Sequence, residues 1–310
     1  MLGPLRLVAA GAVVATLLFA GAAVPAPVKS SASAPDYTDG AIHIYRTPEQ
    51  WHAIGRFPNL GTAGSMEYFG GSVFSHVKVV SVLWGPNVNA TTVKKIPGFL
   101  NALVDSTYVD QLSPQYDTNI TGVNGHKGTN QTINRGKFLG QVEITPQNQS
   151  TTLTDKDVHV EIAGQIAQGV LSKNDNNTLY MIYFPASITI TLGKAVSCKQ
   201  FGAYHFAAEH KALVKDNLFY GVMPDCNAGF DFITVASSHE FAEAATDNIP
   251  TPGSHPNFPQ AWNTSDGYEI GDLCESAPTA TLTAGKKSWT VQEVFLNTTN
   301  ACGTGNFTSP

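Results

Sequence analysis

The stretch His76–Trp84, HVKVVSVLW, followed at once by Gly85-Pro86, decides the fold class. It is short, rich in β-branched residues and closed by a turn dipeptide, which reads as a buried strand. Downstream, Thr91 to Leu112 places Val93, Ile96, Phe99, Leu100, Leu103 and Val104 at helical spacing, with Pro97 near its start, so the spacing predicts a helix. A strand feeding a helix opens an α/β unit. The pattern recurs further along. Gly136–Thr145 (GKFLGQVEIT) reads as a strand, and Thr154–Leu171 as a helix with Val158, Ile162, Ile166, Ala167 and Val170 on one face behind a Thr/Asp start. Thr178–Pro185 (TLYMIYFP) reads as a strongly apolar strand, and Ser187–Leu192, alternating Ile with Thr, as a shorter, exposed one. The expected fold is a single α/β domain with a mixed, partly parallel sheet flanked by helices, without internal repeat or interdomain linker.

Composition narrows the function classes. The 310 residues are 42% apolar and only 14% charged, which is a globular profile rather than a disordered one. A net charge of -6 with no basic cluster argues against a nucleic-acid partner. The chain is long enough for a full hydrophobic core, so its four cysteines reinforce the fold rather than replace the core.

The beginning of the chain reads as an export signal. Leu7 to Val24 is a run of Leu, Val, Ala, Gly and Phe broken only by Thr16, behind Arg6 and ending in small residues before Pro25. We take residues 1–26 as a signal peptide cleaved after Ala26, 27–38 as a flexible Pro/Ser/Ala leader, and 39–310 as the folded body; after cleavage no membrane segment is expected. Cys198, Cys226, Cys274 and Cys302 form an even set without a C-x-x-C pair, which suits two disulfides better than a cysteine zinc site. Of the three pairings, neighbour with neighbour closes the shortest loops. Eight N-x-[ST] sequons, at Asn89, Asn119, Asn130, Asn148, Asn176, Asn263, Asn297 and Asn306, predict polar surface loops.

The chemistry concentrates in Phe232–Ile249, FITVASSHEFAEAATDNI. Thr234 or Ser237 can cap a helix there, and Pro250, Pro252 and Gly253 end it. Within it, His239 and Glu243 stand at i and i+4 on one face and can converge on one ion, as the two histidines of H-E-x-x-H zincins do. Glu240 is placed to act as general base toward a metal-bound water. Glu243 replaces the second zincin histidine, and a carboxylate remains a competent zinc ligand. In Trp262–Glu275 (WNTSDGYEIGDLCE), Glu269 and Asp272 bracket Gly271 just before Cys274, and either acid can supply the third ligand. His205, seven residues after Cys198, is a further donor or else a hydrogen-bonded histidine between aromatic residues.

Several segments together resemble the EXORDIUM, or phosphate-induced, family of secreted plant proteins and its bacterial and fungal relatives. They are EYFGGSVFSHVKVVSVLWG (Glu67–Gly85), TLYMIYFP, the stretch Cys198 to His205, SSHEFAEAATDNIP, YEIGDLCE and the closing Cys302, in the family's order. The resemblance implies an exported, cell-wall-associated protein and places His205, His239, Glu240, Glu243, Glu269 and Asp272 on characteristic positions. The plant form has an additional cysteine where this chain has Gly202, and a longer stretch between the positions of Cys274 and Cys302.

The expected function is a secreted zinc-dependent hydrolase, most simply a peptidase, with a peptide or cell-wall polymer as substrate. Zinc would sit on His239, Glu243 and one of Glu269 or His205, with Glu240 as base and Asp272 orienting a ligand. Calcium is the runner-up ion, favoured if His205 is not a ligand. The alternative is a non-enzymatic wall-associated or signalling protein in which the same cluster is a closed structural site. Glycoside hydrolysis by Glu240 with Glu269 is the third reading.

Overall fold

The computed structural model describes residues 44–46, 65–250 and 256–310. The signal peptide, the leader, the start of the body at Asp39, and Pro252 with Gly253 lie outside the described residues. In chain order the elements are β1 (Ile44–Tyr45), β2 (Glu67–Tyr68), β3 (His76–Trp84), α1 (Ala90–Val104), α2 (Thr107–Asp110), β4 (Asn134–Ile144), β5 (Thr152–Thr154), α3 (Asp155–Ala167), β6 (Thr178–Phe184), β7 (Thr189–Leu192) and β8 (Ala195–Val196). They continue with β9 (Ala203–Ala208), β10 (Leu218–Pro224), α4 (Phe230–Thr246), β11 (Trp262–Asn263), a 3-10 turn at Asp272–Cys274, β12 (Ala280–Ala284), β13 (Lys287–Val291), β14 (Phe295–Leu296), β15 (Ala301–Cys302) and β16 (Phe307–Ser309).

The protein is mixed α/β. Its main sheet has the order β1-β9-β10-β6-β3-β4, in which β4, β3, β6 and β10 pair in parallel while β9 and β1 run antiparallel to their neighbours. Parallel pairs also join β5 to β7 and β12 to β16 in smaller sheets. Period-2 alternation sorts the side chains of the central strands. Val77, Val79 and Leu83 of β3 pack with Leu179, Met181 and Tyr183 of β6 beneath α1 and α4. Val80, Val82 and Trp84 pack with Tyr180, Ile182 and Phe184 beneath α3. Both faces of β6 are therefore covered and all seven of its residues are buried, which explains its continuous apolar run.

Four local expectations are corrected. The helix predicted over Thr91–Leu112 breaks into α1 and α2, because Ser106 accepts from the N–H of Tyr108 at 3.2 Å while donating to the Leu103 carbonyl at 2.8 Å. The strand near Ser187 is not exposed: Ile190 and Leu192 are fully buried in the α3-side core. Neither Thr234 nor Ser237 caps the site helix, which starts at Phe230 behind Gly229; that residue's φ of 88° suits glycine and leaves no side-chain cap. Asn263 is no surface sequon, for it is fully buried and donates to Asp247 Oδ2 at 2.7 Å.

The disulfides Cys198–Cys226 and Cys274–Cys302 join neighbours in sequence. Among the described residues, no helix is long and apolar enough to cross a membrane.

Candidate metal centre

Three pieces of chain build one polar cluster. On β9 the alternation that turns Tyr204 toward α3 turns His205 to the opposite face, toward α4. From Ile233 to Thr246 every residue of α4 is buried, so its polar stripe of His239, Glu240 and Glu243 must find partners inside the protein. The third piece is the loop carrying Glu269 and Asp272. The Cys274–Cys302 bridge and the 3-10 turn fix it, and the Asp272 N–H donates to Glu243 Oε1 at 3.0 Å.

All six residues singled out from the sequence meet here. His239, Glu240, Glu243 and Glu269 have no exposed surface, His205 keeps 2% and Asp272 4%. His239 Nε2 stands 3.0 Å from Glu243 Oε1, as the i, i+4 spacing requires. His205 Nδ1 stands 3.2 Å from Glu240 Oε2 and 3.7 Å from Glu243 Oε2, and its Nε2 lies 3.6 Å from Glu269 Oε1. Two trios have donor atoms that all lie within 4.8 Å of one another: His205 with Glu240 and Glu243, and His239 with Glu243 and Asp272. Asp272, expected to orient a ligand, thus stands among the donors. Glu269, expected as a ligand, belongs to neither trio, and its N–H donates to Asp272 Oδ2 at 2.9 Å.

Residues that the sequence did not single out set the histidine tautomers. Gln292 donates through Nε2 to the Gly271 carbonyl at 2.6 Å, which turns its Oε1 toward His239 Nδ1 at 3.0 Å. An amide oxygen only accepts, so Nδ1 carries the proton of a neutral His239, and Nε2 points its lone pair at Glu243 with no hydrogen-bond partner. The carbonyl of Asp247, 3.1 Å from His205 Nε2, fixes the other ring in the same way and leaves its Nδ1 toward the carboxylates. Metal-ligating histidines characteristically have their second nitrogen tied to such an acceptor.

The electrostatics point the same way. Burial pushes the Glu240 carboxyl up to about 8; His239 opposes the shift, and the negative fields of Glu269 and Asp272 add to it. Glu275, whose Oε1 accepts from the Arg46 N–H at 2.5 Å, is likewise raised well above the usual range by burial. Buried carboxylates facing the bare Nε2 of His239 need protons or a cation between them. Imidazole with carboxylate is a donor set that suits zinc. Gly271 lets the loop close on this cluster: a β-carbon there would stand 2.6 Å from His239 Nδ1 and 2.7 Å from Glu243 Oε1. Compared with known proteins, the chain matches no family model, no curated protein and no solved structure.

Proposed function

We propose that the chain is an exported zinc-dependent hydrolase, peptidase-like in its chemistry and EXORDIUM-like in its sequence. The observation that carries the reading is the bare Nε2 of buried His239, aimed at Glu243 and held there by Gln292. His239 Nε2, Glu243 and Asp272 would hold the ion. Zinc bound there supplies Lewis-acid polarisation of a scissile carbonyl and a nucleophilic water at neutral pH. With one ion bound, Glu240 Oε2 would be the proton acceptor beside His239, and once protonated it can donate to the Nδ1 lone pair of His205, 3.2 Å away. Gln292 keeps the His239 ring oriented, and the Glu269–Asp272 loop sets the position of Glu243.

The test pairs metal analysis with a peptide-library digest. One or more equivalents of zinc, lost in His239→Ala, together with cleavage that falls by about 10²–10⁴-fold in Glu240→Gln, is the expected result. Unchanged cleavage in Glu240→Gln would remove the role given to Glu240.

A second reading has an observation of its own: the near-complete burial of every donor suits a closed, structural metal site in a wall-associated or signalling protein. Coordination by four protein ligands without a water, with no cleavage of any peptide, is the outcome that selects it.

A further inference from the structure

The two trios share Glu243, and they share it in a particular way. Its Oε1 faces His239 Nε2 at 3.0 Å, and its Oε2 faces His205 Nδ1 at 3.7 Å. Each histidine has its other nitrogen tied to an uncharged acceptor, Gln292 Oε1 for His239 and the Asp247 carbonyl for His205. Each therefore turns a lone pair inward to a different oxygen of one carboxylate. Beyond Glu243 each side has a carboxylate of its own, Glu240 next to His205 and Asp272 next to His239. This is a mirrored donor set rather than a single ring of ligands.

From this geometry we infer that the centre takes two divalent cations of the zinc class, bridged by Glu243. One lies among His205, Glu240 and Glu243, the other among His239, Glu243 and Asp272. Charge supports the count. Glu240, Glu243, Glu269 and Asp272, all buried, carry four negative charges when ionised. One divalent ion would leave half of that charge uncompensated in a medium where unpaired charge is very costly, whereas two ions balance it. Two-ion hydrolytic sites hold their ions about 3.5–4 Å apart, a spacing that one carboxylate spans with its two oxygens. The inference rests on the reading of this cluster as a metal centre. It changes the number of ions and makes Glu240 a ligand in the doubly loaded form instead of a proton acceptor.

The experiment uses the full-length purified protein, stripped with chelator and titrated with zinc alone. Bound metal is read by elemental analysis and by calorimetry. Wild type should take up two equivalents, His205→Ala and His239→Ala one each, and Glu243→Ala should weaken both. X-ray absorption of the loaded wild type should contain a metal–metal distance. Glu240→Gln, which keeps side-chain shape, repeats the His205 test should His205→Ala fail to fold, and it too should drop to one equivalent. A single equivalent in wild type, lost in His239→Ala and kept in Glu240→Gln, overturns the second seat and leaves the one-ion reading intact. Two equivalents that persist in His205→Ala and Glu240→Gln place the second ion elsewhere and overturn the inference. No bound zinc overturns both.

Discussion

Gly271→Ala tests the centre through a residue that contributes no donor. The position has φ -78° and ψ -43°, a helical conformation that alanine adopts freely, so backbone strain plays no part. Taken alone, the change would stabilise the chain by about 0.4–1 kcal/mol through the unfolded state. Against that stands the new methyl group, 2.6 Å from His239 Nδ1, 2.7 Å from Glu243 Oε1 and 2.9 Å from His239 Cε1. Carbon contacts relax near 3.5–4.0 Å, so His239 or Glu243 must retreat by roughly 1 Å. Both are fully buried, and His239 is held by Gln292. Overpacking of this kind costs about 1–3 kcal/mol, which after the unfolded-state gain leaves a net loss of about 1 kcal/mol and a fall in Tm of about 2–4 °C. Zinc affinity should fall by about 10–100-fold, the usual result of disturbing the support of a ligand. Calorimetric zinc titration and thermal unfolding measure both, with Gly164→Ala as control. That glycine lies inside α3 and its added β-carbon would meet nothing within 4 Å, so it should gain about 0.5–1 kcal/mol and bind zinc as wild type does. Gly271→Ala with wild-type Tm and wild-type affinity would refute the assignment of His239 and Glu243 to a tightly packed metal centre.

Further predictions concern stability and pH. Replacing Cys274 and Cys302 by alanine opens a loop of sequence separation 28, which costs about 3–4 kcal/mol by loop entropy and loosens the loop that carries Asp272; denaturant unfolding and zinc affinity should both register the change. Burial holds Asp155 up to about 6, against hydrogen bonds from Tyr220 and Tyr204 that lower it, and holds His159 down to about 4. Between about pH 4 and 6 the folded chain thus keeps a proton on Asp155 that the unfolded chain releases, and this contribution to stability falls as pH rises. His159 and His210 act in the opposite sense: the unfolded chain binds protons that the buried rings refuse, so their contribution is lost as pH falls from about 6.5 toward 4. In Asp155→Asn, where the amide oxygen still accepts from the two tyrosines, the loss on acidification should steepen by about 1.4 kcal/mol per pH unit, measured by urea unfolding between pH 4 and 6. An unchanged slope would show that Asp155 is already ionised in this range.

How far the sequence could be read follows from where each signal lies. β3 and β6 announce themselves because strands covered on both faces are apolar throughout, and α3 because the Thr154 and Asp157 side chains close a capping box. β7 misleads for a physical reason: its threonines look outward while Ile190 and Leu192 fill the core under α3, so alternation marks one buried face rather than exposure. The start of α4 was hidden because Gly229 offers no capping side chain. The site residues were legible as a set through the H-E-x-x-E spacing and the acids before Cys274. Gln292 was not, since a glutamine 53 positions from His239 has no local pattern to reveal its contact. Whether Asp272 or Glu269 stands in a donor trio is equally illegible in the sequence, because it depends on how the 3-10 turn points two acids three residues apart.

The position of His205 shows why the fold and the centre are one problem. Because β9 runs antiparallel beside β10 at the edge of an otherwise parallel array, it brings a side chain from outside the α4 connection against that helix. The same strand, one residue earlier, sends the Tyr204 hydroxyl to Asp155 on the far side of the sheet at 2.8 Å. A one-residue slip of β9 would exchange these two side chains, placing a histidine against α3 and a tyrosine among the carboxylates of α4. Register is thus specified from both faces at once, by Asp155 on one and by Glu240 and Glu243 on the other. Cations seated on the α4 side would add to that specification only in the correct register, since only there does an imidazole nitrogen meet the second oxygen of Glu243. Metal binding by this cluster would for that reason be coupled to strand register as well as to chemistry.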